Sequence, residues 1–223
     1  MSVVADTTTA ISYITQPDAL MQELGRESRI VFDLDGTLYD TRDFERPALE
    51  AVVAWLRKKS GRPLECMTKS LWFRRERDRH RPGLFDDWLR EQRLPVTWGA
   101  ECQRRFHAHP GTELETAGSL KARLATLHTG DRRLGLVSNG NPELQQRKLT
   151  RLGMADIFDI RIFCDPKLPE RLKPSPWAWT QLAKWRGAQP AVYVGDDPVD
   201  AEFAAAGAVR FVPFKFRSPS YGD

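Results

Sequence analysis

Residues 30–39, IVFDLDGTLY, constrain the fold more than any other part of the chain. Strand-forming residues lead into Asp33 and Asp35, and Gly36 and Thr37 then favour a turn. Alternate residues of a strand share a face, so the two carboxylates would repel each other unless a cation or a proton lies between them. Mg²⁺, a neutral acid or both would satisfy the pair, which suits phosphoryl transfer through an aspartyl phosphate. The alternative is a strand end followed by a plain polar turn.

A later stretch of the chain, after a predicted strand, contains a candidate anion-binding site. Residues 133–137, RLGLV, predict a buried strand that leads into Ser138 and Asn139. Asn141 followed by Pro142 is typical of a helix N-cap and first turn, so the Ser138 hydroxyl and nearby backbone N–H groups would form an anion pocket. A β–α turn with an incidental serine is the other interpretation.

Two more stretches bring charged side chains to turns. Pro174 disfavours helix at Lys173, so a turn would present the lysine ammonium group. A strand predicted at 191–194 is followed by Asp196, and Asp200 lies four residues further on. This spacing allows both carboxylates to face one point, and oxygen ligands suit Mg²⁺ better than zinc. A group of aspartates that caps a helix is the alternative.

The region between the first two candidates is predicted to be helical. One helix is expected to begin at Pro47, and others to cover 64–77, 84–92 and 98–106. Basic and aromatic side chains are interleaved here. This composition fits a lid that closes over an anionic substrate, and equally ordinary helices with a solvated basic face. No recognised nucleic-acid-binding motif accompanies it, so we expect no nucleic-acid partner.

Composition limits the class of protein that this chain can be. The 223 residues are 41% hydrophobic and 29% charged, which is ordinary for a globular protein. No apolar run approaches the roughly 18 residues of a membrane span, and no secretory signal is evident, so we expect a cytoplasmic protein without membrane contact. Cys66, Cys102 and Cys164 are odd in number and widely spaced, which predicts packed thiols rather than disulfides or a zinc site.

In chain order the four stretches read DLDGT, SNG, KP and GDDPVD, each after a strand or before a helix. This order resembles the haloacid dehalogenase-like hydrolase superfamily over about residues 29–210. The resemblance implies an α/β fold, a Rossmann-like parallel sheet whose site lies at the carboxyl ends of the strands. It divides the chain into an N-terminal extension (1–28), a core (29–41 and 111–223) and an inserted helical cap (42–110). The tail after Arg210 has no assignable counterpart.

The resemblance also implies a role for each matching residue. Asp33 would be the nucleophile, Asp35 the general acid and later the base, and Lys173 the cation that neutralises the charge on Asp33 and the phosphoryl group. The phosphate-binding residues would be Ser138, Asn139, Gly36 and Thr37. The Mg²⁺ ligands would be Asp33, the backbone carbonyl of Asp35, Asp196 and Asp200.

The resulting prediction is a Mg²⁺-dependent phosphomonoester hydrolase. Its substrate would be a small phosphorylated metabolite, such as a sugar phosphate, phosphoglycolate or a nucleoside monophosphate. An acid at Asp35 favours phosphate chemistry over dehalogenation, because a departing halide needs no proton. A phosphomutase and a non-catalytic phosphate-binding or regulatory protein are the alternatives. We expect a monomer or homodimer.

Overall fold

Five parallel strands form a single sheet in the order β3-β2-β1-β4-β5 within the part of the chain that the structure describes. The structure is a computed structural model, and it describes residues 11–63, 67–77, 83–112, 114, 118–129, 132–185 and 192–221. The strands are β1 (Arg29–Phe32), β2 (Arg133–Asn139), β3 (Ile160–Cys164), β4 (Val192–Gly195) and β5 (Arg210–Pro213). This architecture confirms the predicted Rossmann-like α/β class.

The central strand β1 sets the position of the site. Ile30, Val31 and Phe32 are fully buried, as expected for a parallel strand covered on both faces. Phe32 is in register with Leu136 of β2 and Val194 of β4, so the three strands reach the same edge of the sheet together. The segments that follow them therefore meet at this edge.

Helices surround the sheet and fill the connections. They are α1 (Pro17–Leu24), α2 (Arg42–Ser60), α3 (Met67–Arg77), α4 (Leu84–Glu91), α5 (Gly99–Ala108), α6 (Gly118–Thr129), α7 (Pro142–Arg151), α8 (Trp177–Leu182) and α9 (Pro198–Ala206). Short 3₁₀ turns cover Val96–Trp98, Ala155–Ile157, Pro169–Arg171 and Pro219–Tyr221. No helix in these described ranges is both long and apolar enough to cross a membrane.

The helical region between β1 and β2 comprises α2 to α5. Its aromatic side chains pack against one another: the Phe44 and Phe106 ring centroids are 5.5 Å apart, and those of Trp55 and Trp98 are 6.0 Å apart. The buried side chains of these helices belong to the same hydrophobic cluster as Phe32 of the sheet. The helical region therefore shares one continuous hydrophobic cluster with the sheet, and its separation into a cap domain stays a prediction.

The predicted start of α2 is wrong. The helix begins at Arg42, and Pro47 lies inside it. Proline inside a helix removes one backbone hydrogen bond. Burial of Phe44, which is 1% exposed, offsets that loss, because a helix that begins early carries this ring into the core.

The tail after Arg210, which had no assigned role, contributes β5 and then lies against the turn that follows β1. The backbone N–H of Phe216 donates to the Gly36 carbonyl (2.8 Å), and that of Ser218 donates to Asp40 Oδ2 (3.2 Å). Phe214 and Phe216 are buried. The tail therefore packs against the turn that follows β1 and helps to hold it in place.

Two cysteines are packed thiols, as predicted. Cys102 and Cys164 are free and buried. Burial raises the pKa of the Cys102 thiol to about 12 and that of the Cys164 thiol to about 11, so both stay protonated at neutral pH. Cys66 lies outside the described residues.

Candidate active site

The predicted site residues meet at the carboxyl edge of the sheet. Asp33 follows β1, Ser138 lies near the end of β2, and Asp196 follows β4. Asp200 lies in the first turn of α9, and Lys173 lies in the loop before α8. All five are less than a tenth exposed. Residues far apart in the chain thus form one buried polar centre.

Lys173 is the buried cation of this centre. Its Nζ donates to Asp33 Oδ1 and Asp200 Oδ1, both at 2.6 Å, and to the Tyr193 hydroxyl at 2.9 Å. Asn139 fixes the lysine loop, because its side-chain oxygen accepts from the Lys173 N–H (2.8 Å) and its amide donates to the Lys173 carbonyl (3.2 Å). The Asn139 side chain, predicted to bind phosphate, is thus engaged in positioning the lysine.

Asp200 accepts hydrogen bonds at both carboxylate oxygens. Oδ1 accepts from Lys173 and from Tyr193 (3.2 Å), and Oδ2 accepts from the backbone N–H groups of Asp196 (3.1 Å) and Asp197 (3.2 Å). Asp197 in turn caps α9 by accepting from the Val199 N–H. The helix-capping interpretation of this stretch therefore holds for Asp197 and Asp200, alongside their position in the site.

Burial and charge shift the ionisation of the central pair. Burial raises the pKa of Asp33 well above its ordinary value, and the neighbouring Asp200 and Asp196 carboxylates raise it further, while Lys173 partly opposes the shift. Burial would lower the pKa of Lys173, but Asp200 and Asp33 outweigh it and raise that pKa. Lys173 is therefore charged throughout the neutral pH range.

Asp35 faces a different set of partners. Strand β1 ends at Phe32, so strand alternation does not pair the two aspartates as the sequence suggested. Asp35 Oδ1 accepts from Lys148 Nζ (2.7 Å) and from the Tyr39 hydroxyl, and Oδ2 accepts from Gln145 Nε2 (2.6 Å). Burial alone would raise the pKa of Asp35, but the Lys148 ion pair and these hydrogen bonds outweigh it and lower the pKa to about 2.

The sequence predicted the start of this helix at Asn141 and Pro142 but gave Gln145 and Lys148 no role. Both lie on the buried face of α7 beside Leu144 and Leu149. Core-facing positions of a helix are normally apolar. A glutamine and a lysine at such positions, in the helix that follows SNG, were the signal available in the sequence.

The turn after Asp35 fits closely against Asp196. Gly36 has φ of +86°, and a Cβ built there would lie 2.2 Å from Asp196 Oδ2. Thr37 is fully buried, and its hydroxyl has no hydrogen-bond partner among the residues that the structure describes. A buried hydroxyl without a hydrogen-bond partner in the described structure is a candidate donor to a bound ligand.

Substitution of Gly36 by alanine is expected to lower the stability of the fold. The new methyl group would displace the Asp196 carboxylate, and the backbone would be strained at positive φ, at a cost of about 1–3 kcal/mol. Thermal denaturation would measure the loss. Gly83→Ala is the matched control, since Gly83 also has positive φ (+80°) but a Cβ added there would have no described atom within 4 Å. Equal losses in both variants would contradict a specific clash with Asp196.

The carboxylates of this centre fit a divalent cation. Ligand oxygens of Asp33, Asp196 and Asp200 all lie within 4.8 Å of one another. Mg²⁺ prefers such oxygen ligands. The centre contains four carboxylates, those of Asp33, Asp35, Asp196 and Asp200, and two ammonium groups, those of Lys148 and Lys173. With all six groups ionised, the net charge is two negative. A divalent cation would balance this excess, and Lys215 approaches Asp196 from the rim at 3.4 Å.

Comparison with known proteins gives relatives and a family. A phosphoglycolate phosphatase of Cereibacter sphaeroides is 34% identical over 119 residues, which are 52% of this chain and 54% of that protein. The chain thus spans about half the length of these curated relatives. A glyceraldehyde 3-phosphate phosphatase of Pyrococcus abyssi is 28% identical over 176 residues, 75% of this chain and 72% of that protein.

Solved structures share the fold. A haloacid dehalogenase-type hydrolase from Bacillus subtilis, solved with bound magnesium, superposes with a TM-score of 0.61 at 17% identity, covering 87% of this chain and 91% of that one. The family model for haloacid dehalogenase-like hydrolases matches residues 28–207, a span that contains all four motifs and the whole buried centre. The chain belongs to the haloacid dehalogenase-like hydrolases.

Proposed function

We propose that this chain is a Mg²⁺-dependent phosphomonoester hydrolase that acts through an aspartyl phosphate on Asp33. The observation that carries the proposal is the buried Asp33 carboxylate, which has the Lys173 ammonium group at 2.6 Å and the Asp196 and Asp200 carboxylates beside it. A nucleophile, a fixed cation and an acidic cluster are the parts that phosphoryl transfer requires.

In the first step a carboxylate oxygen of Asp33 attacks phosphorus, and the bond from phosphorus to the leaving alcohol breaks. Asp35 gives its proton to the departing oxygen. In the second step Asp35 takes a proton from water, whose oxygen attacks the aspartyl phosphate and releases phosphate. The Lys148 ion pair and the hydrogen bonds to Asp35 lower its pKa to about 2, so the charge of an arriving phosphoryl group would have to raise that pKa before Asp35 could act as the acid.

The phosphoryl oxygens would be held by fixed donors at the end of β2 and in the turn after β1. The Ser138 hydroxyl lies beside Gln145 Nε2 at 2.8 Å, and the buried Thr37 hydroxyl is a second donor. Lys173 supplies a point charge toward the oxygens that share negative charge with Asp33. Gly36 lets the backbone approach Asp196 and so closes this pocket.

Asp33, Asp196 and the Asp35 backbone carbonyl would hold Mg²⁺, with Asp200 alongside. Bound Mg²⁺ would offset the negative charge that gathers on Asp33 and the phosphoryl group. Asp200 has a second task in this proposal, because its oxygens already hold Lys173 and the backbone of Asp196. It therefore aligns the lysine with the metal ligands.

The substrate we propose is a small phosphorylated metabolite. The named relatives act on phosphoglycolate and on glyceraldehyde 3-phosphate, which are compact phosphate esters. The helical region at 42–110 would serve as the cap that encloses such a molecule. Phe44 and Phe106 pack against each other inside this region. Its basic side chains would be the groups that select an anionic substrate.

Metal removal tests this proposal. Phosphate release from a panel of small phosphomonoesters is expected to fall at least about 100-fold in EDTA and to return when Mg²⁺ is restored. Asp196→Asn should shift the Mg²⁺ dependence to higher concentration, measured in the same assay. Asp156→Asn, a change at an exposed aspartate, is the control. Undiminished turnover in EDTA would contradict the metal dependence, and stable phosphorylation of the protein without release would indicate a mutase.

A further inference from the structure

The Asp35 carboxylate is held by two side chains from one helix. Lys148 Nζ lies 2.7 Å from Oδ1 and Gln145 Nε2 lies 2.6 Å from Oδ2, and the Tyr39 hydroxyl also donates to Oδ1. The two donors are three residues apart on α7, where a single helix face presents both. Asp35 is thereby fixed in orientation as well as in charge.

Gln145 also connects Asp35 to the phosphate pocket. The same Nε2 donates to Ser138 Oγ (2.8 Å) and approaches the Asn139 carbonyl (3.3 Å). Gln145 is 1% exposed. One buried amide group thus sets the separation between the Asp35 carboxylate and the Ser138 hydroxyl.

Lys148 is confined by aromatic rings. Its Nζ lies 4.7 Å from the Phe44 ring centroid and 5.7 Å from that of Tyr39, and the residue is 6% exposed. Phe44 belongs to α2, the first helix after the turn that follows β1. A long lysine side chain ordinarily keeps its charge in water. Here the packing directs the ammonium group toward Asp35.

We propose that Gln145 and Lys148 are positioning residues for Asp35. They hold its carboxylate beside the phosphate pocket, so that the oxygen carrying the proton meets the leaving oxygen of the substrate. This inference rests on the proposed phosphatase function. Both residues would affect the step in which the leaving group departs, and neither would contact the reacting atoms.

Substrates with different leaving groups test the assignment. An alkyl phosphate needs a proton on its departing oxygen, whereas 4-nitrophenyl phosphate releases a stable anion and needs the acid far less. For Gln145→Met and for Lys148→Met, kcat on the alkyl ester is expected to fall about 10- to 100-fold. The fall on the nitrophenyl ester should be at least about fivefold smaller, with KM little changed. Lys148→Arg should recover part of the alkyl-ester activity because it keeps the charge.

The control is Gln146→Met, a neighbour on the outer face of α7 that bonds only to Thr150 in the described structure. Thermal denaturation reports whether each variant folds. If Lys148→Met does not fold, Lys148→Arg still tests the inference. Equal losses on both esters would overturn the inference and indicate a purely structural role. Absence of hydrolysis by the wild type would instead overturn the proposed function, and the inference with it.

Discussion

Replacement of Asp33 by asparagine is expected to reduce phosphate release by roughly 10⁴-fold or more. The amide nitrogen and oxygen keep the shape of the side chain but remove the anionic oxygen that would form the bond to phosphorus. Mass spectrometry after brief incubation with substrate should find no phosphorylated protein. The wild type treated in the same way should carry one phosphoryl group on the peptide that contains Asp33.

The folded state of this variant should survive. Burial raises the pKa of Asp33, so keeping this carboxylate ionised costs folding free energy that a neutral amide does not, and Lys173 keeps its ion pair with Asp200. We therefore expect a melting temperature equal to or above that of the wild type. Asp156→Asn, at an exposed position, should leave both activity and melting temperature unchanged. Turnover by Asp33→Asn at a rate close to the wild type would exclude Asp33 as the nucleophile.

Replacement of Lys173 by methionine is expected to affect stability and activity together. The change leaves the Asp33 and Asp200 carboxylates buried without the cation that lies 2.6 Å from each. Removing one partner of a buried ion pair costs about 3–5 kcal/mol. For a chain of this size that corresponds to a melting temperature lower by roughly 6–20 °C. Phosphate release should also fall by about 100-fold or more, because the fixed positive charge is lost.

The pH range of this stabilisation follows from the direction of the shift. The pKa of Lys173 is raised, so the ion pairs contribute fully below the unfolded pKa of lysine and are lost only as the pH rises through the higher folded value. The difference in melting temperature between wild type and variant should therefore be constant across the neutral range. Lys167→Met, an exposed change in the same loop, is the control.

A double variant separates charge from shape. Adding Asp200→Asn to Lys173→Met removes one of the unpaired carboxylates and should recover part of the lost stability, but none of the activity. A melting temperature for Lys173→Met equal to that of the wild type would contradict the buried ion pairs as a source of stability.

Local patterns predicted the residues that follow strand ends. Asp33, Ser138 and Asp196 each come directly after, or at the end of, a run of strand-forming residues. Parallel strands deliver such positions to one edge of the sheet. Their meeting could therefore be inferred without knowing any contact. The Asn141 cap of α7 was likewise readable, and its side chain accepts from the Leu144 N–H at 3.0 Å.

Contacts between distant elements could not be predicted in this way. Lys148 and Asp35 are 113 positions apart, and no local pattern states that α7 packs its polar face over the turn after β1. Tyr193 reads as an ordinary strand residue, and only the fold places its hydroxyl beside Lys173. Strand β5 begins with an exposed arginine and ends in proline, and a proline within a short run weakens the strand prediction.

The partners of the central strand β1 and of Asp33 come late in the chain, so the buried centre cannot assemble early during synthesis. Asp33 is translated 140 residues before Lys173, the cation that lies against it in the finished fold. At about 5–20 residues per second, the ribosome takes roughly 7–28 s to cover that interval. Strand β4, which pairs with β1, is completed later still. A nascent chain therefore carries Asp33 for many seconds without its Lys173 partner, and the buried centre can be complete only after Lys173 and β4 have been made.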